Sequence, residues 1–378
     1  MKNSFSYWEQ KSFLSGFDAL IIGSGIVGLS AALSLKSQNP KLKIGVLEAG
    51  FLPAGASTKN AGFACFGSIS ELIEELKTGT EDEVAEIIEM RWRGLKKLRE
   101  NLGDKAISFE QYGGYEVFKN TETDFANSCI EQIPYFNKFL GSIIGKTDIY
   151  AVNNAKIAES GMNGITNIIK NEYEGQIDTG KMMSALLSKV QGMGIAVFNN
   201  CQVQKIESNS NDQVLITNQG RFQAKAVIVA SNAFSKELIP QLDVVPGRGQ
   251  ILITEPIKGL KIKGSLHYNR GYTYFRNIDD RILLGGGRDL DFKAEQTLDP
   301  GITDIIQNYL EALLFETILP HQRIKIEHRW SGVMGFGKEV KPIVKKIQPG
   351  LYCVVRCNGM GIAIGSLLGE QVAMLVDL

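Results

Sequence analysis

The chain has 378 residues, with 41 Lys and Arg balanced by 41 Asp and Glu and a hydrophobic fraction of 44%. Zero net charge excludes a field that would draw it to nucleic acid or to an anionic membrane surface, and the length exceeds one ordinary core. Two domains acting on a small molecule are the expectation. The five cysteines, Cys65, Cys129, Cys201, Cys353 and Cys357, lack zinc-type spacing, and His267, His321 and His328 form no H-x-x-x-H pair. No metal site is expected, and a reducing, cytoplasmic setting is.

Residues 1–16 read as an arm carrying Tyr7 and Trp8, whose default role is packing on the surface, and no secretion signal is expected in it. The stretch from Phe17 then governs the rest. A short apolar run, Ala19 to Ile22, enters Gly23-Ser-Gly25-Ile-Val-Gly28, and Leu29, Ala32 and Leu33 continue with helical period. A second strand ends in Glu48, 20 residues after Gly28. Gly23 makes a tight turn, Gly25 admits a pyrophosphate, and Gly28 lets helix and strand pack closely. The first-turn N–H groups, at Ile26, Val27 and Gly28, face the phosphates. Glu48, followed by Ala49, accepts ribose hydroxyls and disfavours a 2′-phosphate. This is a dinucleotide grip.

Phe51 to Ser68 is too rich in glycine and small residues for a core element and too apolar for a solvated loop; it suits backbone lying flat against a ligand. Glu81 to Leu102 is an amphipathic helix with a stripe of Val84, Ile87, Ile88, Trp92, Leu95, Leu98 and Leu102. Gln111 to Phe118 is a turn entering a strand, and the mixed pattern up to about residue 165 is assigned to an inserted second domain. Asp178 or Thr179 caps a helix through Met182, Leu186 and Leu187. A strand at Gly194–Phe198, a hairpin of Cys201–Ile206 and Gln213–Thr217, and a strand at Ala226–Ala230 running into Ser231 mark a return to the first domain.

From Val244 longer strands, Gln250–Glu255, Gly271–Arg276 and Arg281–Arg288, suggest an antiparallel sheet, interrupted by a helix at Ile302–Phe315 with Ile302, Ile305, Ile306, Tyr309 and Leu313 on its stripe. Period two puts Tyr272, Tyr274 and Arg276 on one strand face, where aromatic walls and a fixed cation can seat an amine. Near the end a strand runs into Asn358-Gly359-Met360-Gly361-Ile362 and a last helix. Backbone N–H groups and a helix dipole there suit the edge of a flavin, which carries negative charge when reduced. Met360 to Val376 is broken by Glu370 and Gln371, so no stable membrane insertion is expected.

Taken in order, the grip, Gly55-Ala-Ser57-Thr58-Lys59-Asn60-Ala61-Gly62, Ile177-Asp178, Val227–Ala230, Pro246-Gly-Arg248-Gly-Gln250, Leu284-Gly-Gly-Gly-Arg288-Asp289, Trp330-Ser-Gly332 and Asn358 to Ile362 resemble the glycine/D-amino acid oxidase (DAO) family of flavoproteins, in its gamma-glutamylputrescine oxidase-like branch. The resemblance implies an α/β (α+β) fold. A Rossmann-like FAD-binding domain would comprise 1–75, 166–243 and 336–378. An inserted substrate domain on a mixed, mainly antiparallel sheet would comprise 76–165 and 244–335.

It also implies oxidation of a carbon–nitrogen bond, with hydride passing to FAD, the imine hydrolysing, and O2 or another acceptor taking the electrons. Ser57 to Gly62 would lie along the cofactor, Val203, Ala230 and Ser231 beside its nucleotide half, and Gly332 with Asn358 to Ile362 beside its ring. Lys59, Tyr272, Tyr274 and Arg276 would serve the chemistry. Met334 stands where glycine and D-amino acid oxidases carry a carboxylate-binding arginine, and Leu283 where sarcosine oxidases carry a lysine. No cysteine near Trp330 to Gly335 can link a flavin, so non-covalent FAD is expected. A nicotinamide dehydrogenase would leave the Gly359 region and the long second domain without a role, and a non-catalytic FAD-fold binding protein would leave the ring segment without one. Neutral charge counts against a tRNA-modifying oxidase.

Overall fold

The computed structural model describes residues 5–209, 212–320 and 322–378. The first four residues of the arm, two residues in the turn of the 201–217 hairpin, and His321 lie outside them.

The first sheet has the strand order Ile343–Gln348, Leu351–Val355, Gly220–Val229, Phe17–Ile22, Ile44–Leu47, Ala196–Phe198. Along this order all neighbours pair in parallel except the antiparallel edge strand Ile343–Gln348; two further strands, Val203–Ser208 and Gln213–Thr217, join the sheet by antiparallel pairing. Ala19 faces Ala226 on one side and Ile44 on the other. Strands covered on both faces need unbroken apolar runs, and Ala19, Leu20 and Ile21 are fully buried. The expected hairpin is present as Val203–Ser208 against Gln213–Thr217. Its second strand pairs with the first half of Gly220–Val229, so that strand begins six residues before the expected Ala226.

Helix Ile26–Gln38 lies on this sheet and against the last helix, Gly361–Met374. Small residues set that crossing: a Cβ on Gly369 would lie 2.6 Å from the Ala31 nitrogen. Neither helix is capped by its own N-cap side chain, and the first turns of both, at Ile26 and Val27 and at Gly361 and Ile362, line one cavity.

The second sheet runs Ile326–Phe336, Val245–Thr254, Arg281–Gly286, Thr273–Ile278, Ser265–Tyr268, Gly114–Lys119, Ile165–Asn171, Tyr150–Val152. Only the Ser265–Tyr268 and Gly114–Lys119 pair is parallel. Ile165–Asn171 belongs here, so this sheet's share of the chain runs past residue 165. A two-stranded ribbon, Phe63–Ala64 with Gly175–Gln176, lies outside both sheets.

Helix Glu81–Leu102 forms over its expected span behind a Thr80 capping box, and Asp178 caps Thr179–Gly192 by accepting from the Lys181 N–H at 2.9 Å. The helix expected from Ile302 starts at Asp304; Ile302 and Ile305 are about half exposed, while Ile306, Leu310 and Leu313 are buried. Of the expected stripe, Ile306 and Leu313 face the core and Tyr309 packs against it, while Ile305 points outward and Leu310, not in the expected stripe, points inward. Tyr7 and Trp8 are also mostly exposed and pack edge-to-face on each other, with centroids 5.2 Å apart.

Candidate active site

The strand-to-helix turn at Gly23 is built as its spacing requires. Gly23 has φ +103°, and a Cβ on Gly28 would lie 2.1 Å from the Gly23 carbonyl oxygen. Gly28 thus packs helix onto turn and does not itself line the cavity in front. Glu48 is buried, and its Oε2 accepts from the Ser24 N–H (3.0 Å) and hydroxyl (2.7 Å) while Oε1 accepts from the Gly50 N–H (2.9 Å). A carboxylate offers about four lone-pair positions. Three are used by the protein, so Glu48 fixes the turn as well as facing the cavity.

That cavity measures about 410 Å³ and is lined by Gly23, Gly25, Ile26, Val27, Glu48, Ala49, Ser57, Asn60, Val203, Ala230, Ser231, Gly359, Gly361 and Ile362. The Ser57 hydroxyl accepts from the Ile26 N–H at 2.9 Å, tying the small-residue stretch to the helix start. Ser231 presents a buried hydroxyl with no partner among the described residues. Thr58 is turned away: its hydroxyl donates to the Pro53 carbonyl at 2.6 Å.

A second chamber, about 290 Å³, opens from the first; Ala56, Asn60, Met334, Gly359 and Ile362 line both. Lys59, Asn60, Ala61, Gly62, Gly332, Asn358, Gly359 and Met360 form one part of its wall, Tyr272 and Tyr274 another. Asn60 holds the wall in shape, donating to the Ala56 and Ser57 carbonyls and accepting from the Gly62 N–H and the Thr179 hydroxyl, both at 2.8 Å. Trp330 donates from Nε1 to the Lys59 carbonyl at 3.1 Å. The turn before the last helix is unusual backbone, with φ +68° at Arg356, +47° at Asn358 and +82° at Gly359. Strain of this kind persists only where surroundings over-determine it. Here buried Arg356 does so through Asp243 Oδ2 at 2.7 Å and Glu339 Oε2 at 3.1 Å.

Arg276 does not join the chamber. The strand begins at Thr273, and Arg276 is buried with Nη2 on the Ile177 carbonyl (2.8 Å) and Nε on the Ala61 carbonyl. Period two gave the right strand face, but two backbone carbonyls with no other donor claimed the guanidinium, making it a clamp on the Ala61–Gly62 wall. Tyr274 packs edge-to-face on Phe63 with centroids 5.5 Å apart, and burial pushes its phenol up to about 12. Sequence reading missed Glu71, His267, Arg270, Arg288 and Phe336, which also line this chamber, and saw Met334 only as a missing arginine. Alternation along Ser265–Tyr268 and Thr273–Ile278 could have offered His267. The cysteines Cys65 and Cys357 line the chambers, and burial raises both thiols, Cys357 to about 12.

A glycine-shaped phosphate cradle, a buried acid and an orphaned serine hydroxyl fit a dinucleotide, and the adjoining chamber with an unusual turn at its floor fits a redox ring. Comparison with known proteins bears on this. The bifunctional protein ThiO/ThiG of Synechocystis is 28% identical over 236 residues, 62% of this chain, and the chain spans only about a third (32%) of that protein. Gamma-glutamylputrescine oxidoreductase of Escherichia coli K12 is 24% identical over 95% of this chain and 83% of its own length. The solved glycine oxidase of Bacillus cereus ATCC 14579 superposes with a TM-score of 0.76 at 17% identity, over 95% of this chain and 97% of the other, a likeness of fold. Residues 18–375 match the family described as DAO, FAD dependent oxidoreductase, and the chain belongs to that family of FAD-dependent enzymes.

Proposed function

We propose that this enzyme oxidises the carbon–nitrogen bond of a small amine or amino acid, using non-covalent FAD. The observation that carries the reading is the continuity of the two chambers: the nucleotide cradle opens through Asn60, Gly359 and Ile362 into an aromatic-walled space. Gly23, Gly25, Glu48, Ser57 and Ala230 would hold the nucleotide half, and Asn60, Gly332, Gly359 and Ile362 the ring. When bound, FAD accepts a hydride from the carbon beside nitrogen; the resulting imine hydrolyses, and O2 or another acceptor takes the electrons.

The chain's own residues shape the substrate side. Phe63 and Tyr274 exclude water, and the Tyr274 phenol, held neutral by burial, acts as wall and hydrogen-bond donor but not as base. Protonated buried thiols at Cys65 and Cys357 are weak nucleophiles, in keeping with a cofactor that is not covalently linked. The expected division into a cofactor domain (1–75, 166–243, 336–378) and a substrate domain (76–165, 244–335) belongs to this proposal, with the boundary at 165 moved past Asn171 by the strand Ile165–Asn171, as does a cytoplasmic location, favoured by five buried unpaired cysteines. Among the described residues no helix is long and apolar enough to cross a membrane.

The test is a product panel. Primary amines, secondary amines, amino acids and matched 2-hydroxy acids are incubated aerobically with the holoenzyme, and released ammonia or amine and the carbonyl product are quantified. Turnover confined to one nitrogen-bearing class supports the proposal. Turnover of hydroxy acids alone, or of nothing in the panel, contradicts it.

A further inference from the structure

We propose that the substrate carries a carboxylate and that Arg288 holds it. The inference rests on the amine-oxidation reading and narrows its substrate class. Arg288 follows the strand Arg281–Gly286 across a left-handed Gly287 and lines the second chamber. Its guanidinium carbon lies 4.1 Å from the ring centroid of Phe336 and 4.9 Å from that of Phe292, so two aromatic faces hold the planar group in place.

What the guanidinium lacks is an anion. Among the described residues half-buried Arg288 has no hydrogen bond and no ion pair, whereas the buried Arg91, Arg248 and Arg356 meet Glu75, Glu295 and Asp243 at 2.6 to 2.8 Å. The neighbouring Asp289 is held elsewhere, its Oδ2 accepting from Asn269 Nδ2 at 2.8 Å; its buried Oδ1 has no partner among the described residues and makes no ion pair with Arg288. Glu71, the carboxylate that lines the chamber, is bound by the Ser68 N–H and hydroxyl at 2.9 and 2.7 Å and sits 3.8 Å from His267. Arg270, another cation on the wall, already pairs with Glu74 at 3.4 Å and lies over Phe125.

Burial draws the Arg288 pKa down, and the charges of Tyr272, Asp289 and Glu295 near it offset that only in part. A ligand carboxylate supplies a direct counter-charge in the bidentate geometry a guanidinium fork presents. Lys59 is the competing cation, since its ammonium also has no carboxylate partner among the described residues; it lines the same chamber, packed beside Gly332.

The experiment separates charge from shape by calorimetric titration of the holoenzyme with propanoate and with propanamide, its neutral isostere. One charge-assisted bidentate contact should make the acid bind about ten- to hundredfold tighter than the amide. Arg288→Met should bring the two within about threefold, Arg288→Lys should fall between, and Lys59→Met should keep the preference. Retained flavin absorbance shows that each variant is folded. Equal binding of acid and amide, no binding of either, an Arg288→Met variant that keeps the preference, or a Lys59→Met variant that abolishes it would overturn the assignment. Binding heat is read without turnover, so this result stands apart from the product panel.

Discussion

Alanine at Gly28 strains the nucleotide grip at a single atom. The new Cβ would lie 2.1 Å from the Gly23 carbonyl oxygen and 3.2 Å from Ile21 Cγ2. The first contact is with backbone, which cannot rotate aside as a side chain can. Overpacking costs about 1–3 kcal/mol, and a backbone clash belongs at the upper end of that range. Helix Ile26–Gln38 must back away from the strand, taking the Val27 and Gly28 N–H groups with it. At about 1.4 kcal/mol per tenfold, a loss of roughly 2 kcal/mol weakens FAD binding about thirtyfold. The assay is fluorescence titration of apoprotein with FAD, paired with urea unfolding. Gly192→Ala is the control, because it ends helix Thr179–Gly192 outside both chambers and its Cβ meets nothing within 4 Å. A Gly28→Ala variant with wild-type FAD affinity would refute the reasoning.

Arg276→Met leaves the Ala61 and Ile177 carbonyls without their donor; at about 1–3 kcal/mol per orphaned group, thermal unfolding should come earlier and FAD should be held less tightly, and Arg276→Lys should not restore either. Tyr274→Ala should keep FAD yet slow its reduction by substrate in stopped-flow absorbance, with unchanged kinetics removing that residue from the chemistry. Glu116 supplies a pH test, since burial raises its carboxyl from 4.5 to about 7. A folded-state pKa above the unfolded one stabilises most at low pH, and that contribution is lost as pH rises through about 7; over this window it amounts to roughly 3 kcal/mol. Relative to wild type, Glu116→Gln should therefore gain stability in urea between pH 5 and pH 8, and a constant difference would count against the burial argument. All five cysteines are buried, so a thiol reagent should label the native protein slowly and label five sites once it is denatured.

The nucleotide grip was legible in the sequence because its determinants are local. Three glycines, one acid and two apolar runs fix a strand, a turn, a helix and a second strand within about thirty residues, and little outside can override them. The Asp178 cap was readable for the same reason. Arg276 was not, because the groups that claim it lie 99 and 215 positions away in the chain. Arg288 and His267 were not legible as site residues: Arg288 stands in the Leu284-Gly-Gly-Gly-Arg288-Asp289 motif, but what it and His267 face is set only where strands from distant segments meet the loop at Lys59 to Phe63. The stripe at 302–313 was legible in part: Ile306, Tyr309 and Leu313 meet the core as their spacing implies, whereas Ile302 precedes the helix and packing onto the sheet takes Leu310 in place of Ile305.

The central claim is that an amine or amino acid reduces FAD within this chain, and the anaerobic flavin spectrum reads that directly. Substrates from the panel are added to the purified yellow protein in the absence of oxygen, and absorbance is followed. One nitrogen-bearing class should bleach the flavin, and colour should return on admitting an acceptor. A protein that remains oxidised with every amine and amino acid, or that cannot be made to bind FAD, would contradict it.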